Sequence, residues 1–275
     1  MLDILKVIIL GIVEGITEWL PVSSTGHLIL MGSLLQPGLS DAFMEMFNVV
    51  IQLGAIMAVV VLYFDKLYPF SKKKSKKQKM LTWQMWIKVA IASVPAAVIG
   101  LIFNDYLDAI FYRPLPVAIM LIVYGVLFII IEEKNKKTEP KVTKISQLTL
   151  KMLIWIGVFQ MLALIPGTSR SGATIVGALM IGVSRECAAE FTFFLAIPVM
   201  FGASFLKLLK FGMAFTFSEF GFLMLGCIIS FGVSVLAIKF LMGYIKKHDF
   251  KVFGYYRIAL GALIIIVSIA RMILG

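Results

Sequence analysis

Charge is scarce in this chain. Only 15% of its residues are Asp, Glu, Lys or Arg, while 60% are hydrophobic. No soluble domain needs so much apolar surface, which leaves a polytopic membrane protein. Acid is scarcer still: 15 Asp and Glu stand against 26 Lys and Arg, for a formal net charge of +11. Most of that excess sits in a few lysine runs, which mark cytoplasmic loops and contact with anionic lipid rather than nucleic acid. The two cysteines, Cys187 and Cys227, fall inside apolar runs and read as free, buried thiols that say little about redox compartment. There is no Walker loop and no Rossmann fingerprint. Nor does the N-terminus read as a signal peptide, because Glu14 and Glu18 interrupt its apolar stretch and no small-residue cleavage site follows. That segment is expected to be retained.

What the chain has in abundance is long apolar runs. Six of them, at 43–63, 84–103, 115–131, 187–206, 219–242 and 254–274, are long enough or nearly so to cross a hydrocarbon core of about 30 Å. Two further apolar stretches, 4–35 and 150–182, are broken in the middle by Pro, Gly, Ser and Thr. A helix cannot run through Pro21-Val22-Ser23-Ser24-Thr25-Gly26, or through 166–172, without losing backbone bonds. Both are expected to be re-entrant helix–loop–helix hairpins.

The two broken stretches resemble each other. Gly11-Ile12-Val13-Glu14 parallels Gly157-Val158-Phe159-Gln160, and Pro21-x-Ser-Ser-Thr-Gly parallels Pro166-x-Thr-Ser-Arg-Ser-Gly with one residue inserted. Each is followed by three spans, and because three is odd the two units must have opposite orientations. The expected fold is therefore an all-α polytopic membrane protein with an inverted-topology repeat. Residues 1–135 form the first repeat, 136–149 a cytoplasmic linker and 150–275 the second repeat. Lysine placement agrees with this plan. The segments after the first, third and fifth spans carry Lys66 and Lys72 to Lys79, Lys134 to Lys144, and Lys246 to Lys251; 33–42 and 104–114 hold only Arg113, and 207–217 holds Lys207 and Lys210. The positive-inside rule makes the lysine-rich loops cytoplasmic, so the first hairpin enters from outside and the second from the cytoplasm.

Reactive side chains gather at the two breaks. Glu14 and Glu18 lie four apart and share one helix face. At membrane depth such a pair needs water, a cation or a positive partner, which leaves a structural pairing with Arg170 and a divalent-metal site as alternatives. His27 can act as base or as nucleophile. Ser24 is the competing nucleophile, activated by His27 or by a carboxylate. Ser23 and Thr25 suit capping of the following helix. In the second break Arg170 is the permanent charge, and its planar fork suits two phosphate oxygens. Ser169, Ser171 and Gly172 stand at a helix start, where N–H groups and the helix dipole attract anions, and Thr174 adds a hydroxyl. Glu45, Asn48 and Gln52 form a polar stripe in the first span, Pro198 is expected to kink the fourth, and Glu132, Glu133, Arg185 and Glu186 read as inexpensive charges at membrane edges.

Taken together, Glu14-x-x-x-Glu18, Pro21-Val-Ser-Ser-Thr-Gly-His27 and Pro166-Gly-Thr-Ser-Arg-Ser-Gly-Ala-Thr174 resemble the signatures of bacterial undecaprenyl-diphosphate phosphatases of the bacitracin-resistance type. The resemblance covers the whole chain. It implies removal of one phosphate from the C55 isoprenyl diphosphate, recycling of the cell-wall lipid carrier, and bacitracin tolerance. It further implies a divalent cation, Mg or Ca, and a site in the plasma membrane open to the outer face. The matching site positions are Glu14, Glu18, Ser24, His27, Ser169, Arg170, Ser171 and Thr174, and whether Ser24 or His27 attacks stays open. Expected partners are the isoprenyl diphosphate, membrane lipids and, in a homodimer, a second copy of the chain, but no nucleic acid. A transporter or flippase of a phosphorylated isoprenoid is the rival expectation.

Overall fold

The computed structural model describes residues 2–35, 38–212 and 215–274. All its regular elements there are helical, apart from one isolated backbone bridge between Val142 and Val183. Six helical segments are long and apolar enough to cross a membrane: 41–62, 76–103, 114–135, 185–211, 217–244 and 251–272. Each contains one of the runs read from the sequence, give or take one or two residues at an end. The molecule is thus a multi-pass membrane protein.

The polar breaks divide the remaining helices as the sequence demands. α1 (Leu2–Thr17) stops before Pro21, and α2 (Ser24–Leu35) starts after it. α8 (Leu150–Leu162) and α9 (Arg170–Met180) flank Pro166 in the same way. The first span is two helices, α3 (Asp41–Val50) and α4 (Gln52–Leu62), joined at Ile51 and followed by the short α5 (Phe64–Leu67). α6 (Lys76–Phe111) and α7 (Pro114–Asn135) complete the first half. α10 (Arg185–Phe211), α11 (Phe217–Tyr244) and α12 (Lys251–Leu274) complete the second. α6 runs through Pro95 and α10 through Pro198 without ending.

Small residues allow these helices to approach closely, as lipid-embedded packing requires. A Cβ on Gly54 of α4 would lie 2.1 Å from the Cys227 carbonyl oxygen of α11, and one on Gly125 of α7 would lie 2.7 Å from the Gly254 oxygen of α12. α1 packs on α11, α8 on α6, and α7 on α12.

The lysine-rich segments meet at one end of the bundle. Lys66 bridges to Glu190 at 2.8 Å, Lys251 to Glu133 at 2.8 Å, and Lys88 donates to the carbonyls of Ile145 and Ser146. Glu132, read as an edge charge, is in fact buried: Arg185 holds it at 2.5 Å and the Phe250 N–H donates to it at 3.0 Å. This pins the ends of α7, α10 and α12 together. At the opposite end Lys207 pairs with Glu45 and the Gly38 N–H donates to Asp3.

Candidate active site

Two serines with unusual backbones set the geometry. Among the described residues only Ser23 (φ 73°) and Ser169 (φ 67°) combine a side chain with a positive φ. Each immediately precedes the helix that follows its break. Each side chain caps that helix, Ser23 Oγ accepting from the Gly26 N–H at 3.4 Å and Ser169 Oγ from the Gly172 N–H at 3.2 Å. A left-handed serine costs on the order of 1–3 kcal/mol and persists only where its surroundings over-determine it. The consequence is that Ser24 and Arg170 occupy the same position in two separate segments, as first residue of α2 and of α9.

Glu18 joins those two residues. Its Oε1 accepts from Arg170 Nη2 at 2.9 Å, and its Oε2 accepts from the Ser24 hydroxyl at 3.4 Å. Both charges are largely out of water, with side-chain exposures of 11% for Arg170 and 8% for Glu18. Arg170 also donates from Nη1 to the Thr192 carbonyl at 2.9 Å and stacks over Trp19 at 5.8 Å, leaving Nε–H without a partner. Two of the five guanidinium N–H groups are thus committed, and the remaining three are the donors an anion would accept from. Thr174 is held by the Arg170 carbonyl at 2.8 Å and by the Thr192 hydroxyl at 2.9 Å. Ser171 contacts Ser169 at 3.2 Å and the Leu20 carbonyl at 3.5 Å, which places the second segment directly on the first.

Glu14 lies one helical turn before Glu18. It is completely buried, and neither of its carboxyl oxygens has a hydrogen-bond partner. An unpaired carboxylate at that depth is costly unless a cation or a proton meets it. An all-oxygen set of Glu14 and Glu18, completed by phosphate and water, fits a hard divalent cation such as Mg or Ca. Among the described residues no group of three or more His, Cys, Asp or Glu forms a complete protein cage. Gln160, the counterpart of Glu14 in the second half, instead donates to the Ala92 carbonyl at 3.3 Å.

His27 is placed differently from Ser24. Its Nδ1 lies 2.8 Å from the Ser23 carbonyl, which can only accept, so Nδ1 carries the proton. In the neutral ring Nε2 then accepts from the Tyr256 hydroxyl at 2.6 Å, with the two rings nearly parallel at 8°. Thr25 is half-buried on the first turn of α2.

The sequence reading passed over four neighbours of this cluster: Trp19, Thr192, Tyr256 and Arg257. Arg257 is fully buried on α12 and donates to the Pro21 carbonyl at 3.2 Å and to those of Gly167 and Thr168 at 2.8 Å each. The available signal was an arginine inside the apolar run 254–274, the same cue that marked Arg170. A separate lysine-lined cavity of about 750 Å³ lies at the other polar region, the lysine-rich end. Its Lys66, Lys74 and Lys88 are already satisfied by Glu190, by Thr82 and by backbone carbonyls.

Six spans folded around a buried Arg–Glu–Ser cluster define an integral membrane protein with paired charges in its interior. The chain belongs to the family described as bacitracin resistance protein BacA, which it matches over residues 7–263. An undecaprenyl-diphosphatase of Acetivibrio thermocellus is 61% identical over 98% of this chain and 99% of its own length. Another, of Enterococcus faecalis, is 63% identical over 94% and 95%, and one of Lactococcus lactis is 57% identical over the full length of both.

Proposed function

We propose that the chain hydrolyses undecaprenyl diphosphate to undecaprenyl phosphate and inorganic phosphate in the bacterial plasma membrane, recycling the lipid carrier of cell-wall synthesis and raising bacitracin tolerance. The observation that carries this reading is the Glu18 carboxylate. One of its oxygens holds the anion-binding Arg170 and the other takes the hydrogen bond of the Ser24 hydroxyl. A site built only to bind an anion has no need of a serine poised on a carboxylate.

In this mechanism the Arg170 guanidinium and the first N–H groups of α9 take oxygens of the terminal phosphate. Ser24 Oγ attacks the terminal phosphorus, its proton passing to Glu18. The new O–P bond forms as the anhydride P–O bond breaks, and undecaprenyl phosphate leaves. Water then attacks the phosphoserine phosphorus, Glu18 returns its proton to Ser24 Oγ as that O–P bond breaks, and inorganic phosphate leaves. Bound divalent cation at Glu14 and Glu18 would supply neutralisation of diphosphate charge. The Tyr256-bonded His27 lies to the side of this line, as a group that orients the start of α2.

The same reading includes an inverted repeat with two re-entrant hairpins. Helix pairing supports it, since α1 against α11 corresponds to α8 against α6 when the halves are exchanged. So does the equivalence of Ser23 and Ser169, and so do Gly11 and Gly157, which both press against a neighbouring helix backbone. With the lysine-rich end cytoplasmic, the site opens toward the outer face.

The test is phosphate release from undecaprenyl diphosphate by purified protein in detergent micelles, with and without chelator. Cation-dependent release supports the reading. No release in micelles, where a lipid cannot change leaflet, would leave transport of the same lipid as the better account.

A further inference from the structure

We propose that Arg257 is a positioning residue that holds the two halves of the site in register. This rests on the reading that the segments around Ser24 and Arg170 form one phosphatase centre. Every hydrogen-bond partner of the Arg257 guanidinium among the described residues is a backbone carbonyl: Pro21, Gly167 and Thr168 as above, and Leu121 at 3.5 Å. The Tyr124 ring lies 5.6 Å from its centre. Pro21 stands two residues before Ser23, and Thr168 immediately before Ser169. One planar cation on α12 therefore grips the backbone just ahead of both left-handed serines.

The arrangement does more than neutralise loose carbonyls. A guanidinium presents its donors in a fixed fork, so three carbonyls on one fork have a fixed spacing, which a lysine ammonium cannot impose. Because C=O and N–H of a peptide point in opposite directions, holding the Thr168 oxygen turns the Ser169 N–H the other way. Carbonyl oxygens, which would repel a phosphate, are thereby kept on the Arg257 side. Space for the fork depends on Gly172, where a Cβ would lie 2.9 Å from Arg257 Nη1. A bare need for helix packing would be met by an apolar side chain, since replacing buried charge with well-packed apolar groups is often neutral or stabilising.

The experiment compares R257K and R257M with the wild type in micelles, measuring kcat, KM and the thermal midpoint of each purified variant. Both are expected to lower kcat by roughly ten- to a hundredfold, the scale of small misplacements of reacting groups, with KM within about threefold. G226A serves as a stability control. Its Cβ would meet the Phe47 ring at 2.7 Å, loosening α3 against α11, where no partner of the Arg257 fork lies, so its midpoint falls while its kcat stays. A kcat within about twofold of wild type in R257M, measured well below its midpoint, overturns the proposal. If neither Arg257 variant is recovered folded, Y124L decides: a kcat reduced by about threefold or more supports the positioning role, and a wild-type kcat overturns it. R170A is run alongside. Full activity there would sink the assignment of the site itself, whereas an inactive R170A beside a normal R257M sinks only the role of Arg257.

Discussion

Glu18 meets two demands at once, and they pull against each other. Pairing with Arg170 stabilises the carboxylate, while activating Ser24 requires it to take a proton. In the proposed mechanism a phosphate bound to Arg170 would resolve the conflict by drawing the guanidinium toward the substrate. Glu18→Gln keeps the shape and removes the base. It is expected to lower kcat by roughly a hundred- to ten-thousandfold while circular dichroism stays that of the folded protein. Quenching of the wild type during turnover in neutral denaturant, followed by mass spectrometry at neutral pH, should find phosphate on Ser24. Phosphate on His27 would reassign the nucleophile, and phosphate on neither would point to direct attack by water. The sequence reading picked out Glu14, Glu18 and Arg170 as odd residue types for their surroundings but passed over Arg257, which carried the same cue. It did not announce partners that are ordinary where they stand. Trp19 and Thr192 look like membrane filling until the fold brings them to Arg170. The strain at Ser23 and Ser169 is invisible to composition, because serine at a helix start is common.

Among the elements, apolar length fixes where spans exist and packing fixes their shape. The first run from 43 to 63 gave no sign of the joint at Ile51, since Val50, Ile51 and Gln52 continue a helical pattern without Gly or Pro. Asn48 in its polar stripe is left with a buried, unpartnered Oδ1, and Glu45 turns to Lys207. Pro95, which the sequence reading passed over, sits inside α6. Close approach of helices is testable through the glycines. Gly54→Ala forces a Cβ to within 2.1 Å of a backbone oxygen and is expected to cost about 1–3 kcal/mol or more, read as a lower thermal midpoint in detergent. Gly232→Ala on α11, where nothing lies within 4 Å, should leave the midpoint unchanged or slightly raised. Equal losses in the two variants would contradict the packing described for α4 against α11.

In the proposed reading the site is divided between the two parts of the chain. Glu14, Glu18 and Ser24 come from the first, and Arg170, Thr192 and Arg257 from the second. The segment 141–142 is tied by backbone bonds to 182–184, so a cut must fall before it. Chains 1–138 and 139–275, made together, are expected to restore phosphate release, and either one alone should show none. Activity in a lone half would contradict a shared centre. Arg257 adds an order of events to this division. A ribosome completes Arg170 long before it reaches α12, and until that helix is inserted the two serine turns lack the one side chain that grips the backbone ahead of both. A growing chain in the membrane would thus carry both reactive segments yet be unable to cut a lipid, and the enzyme would become competent only when its last described helix arrives.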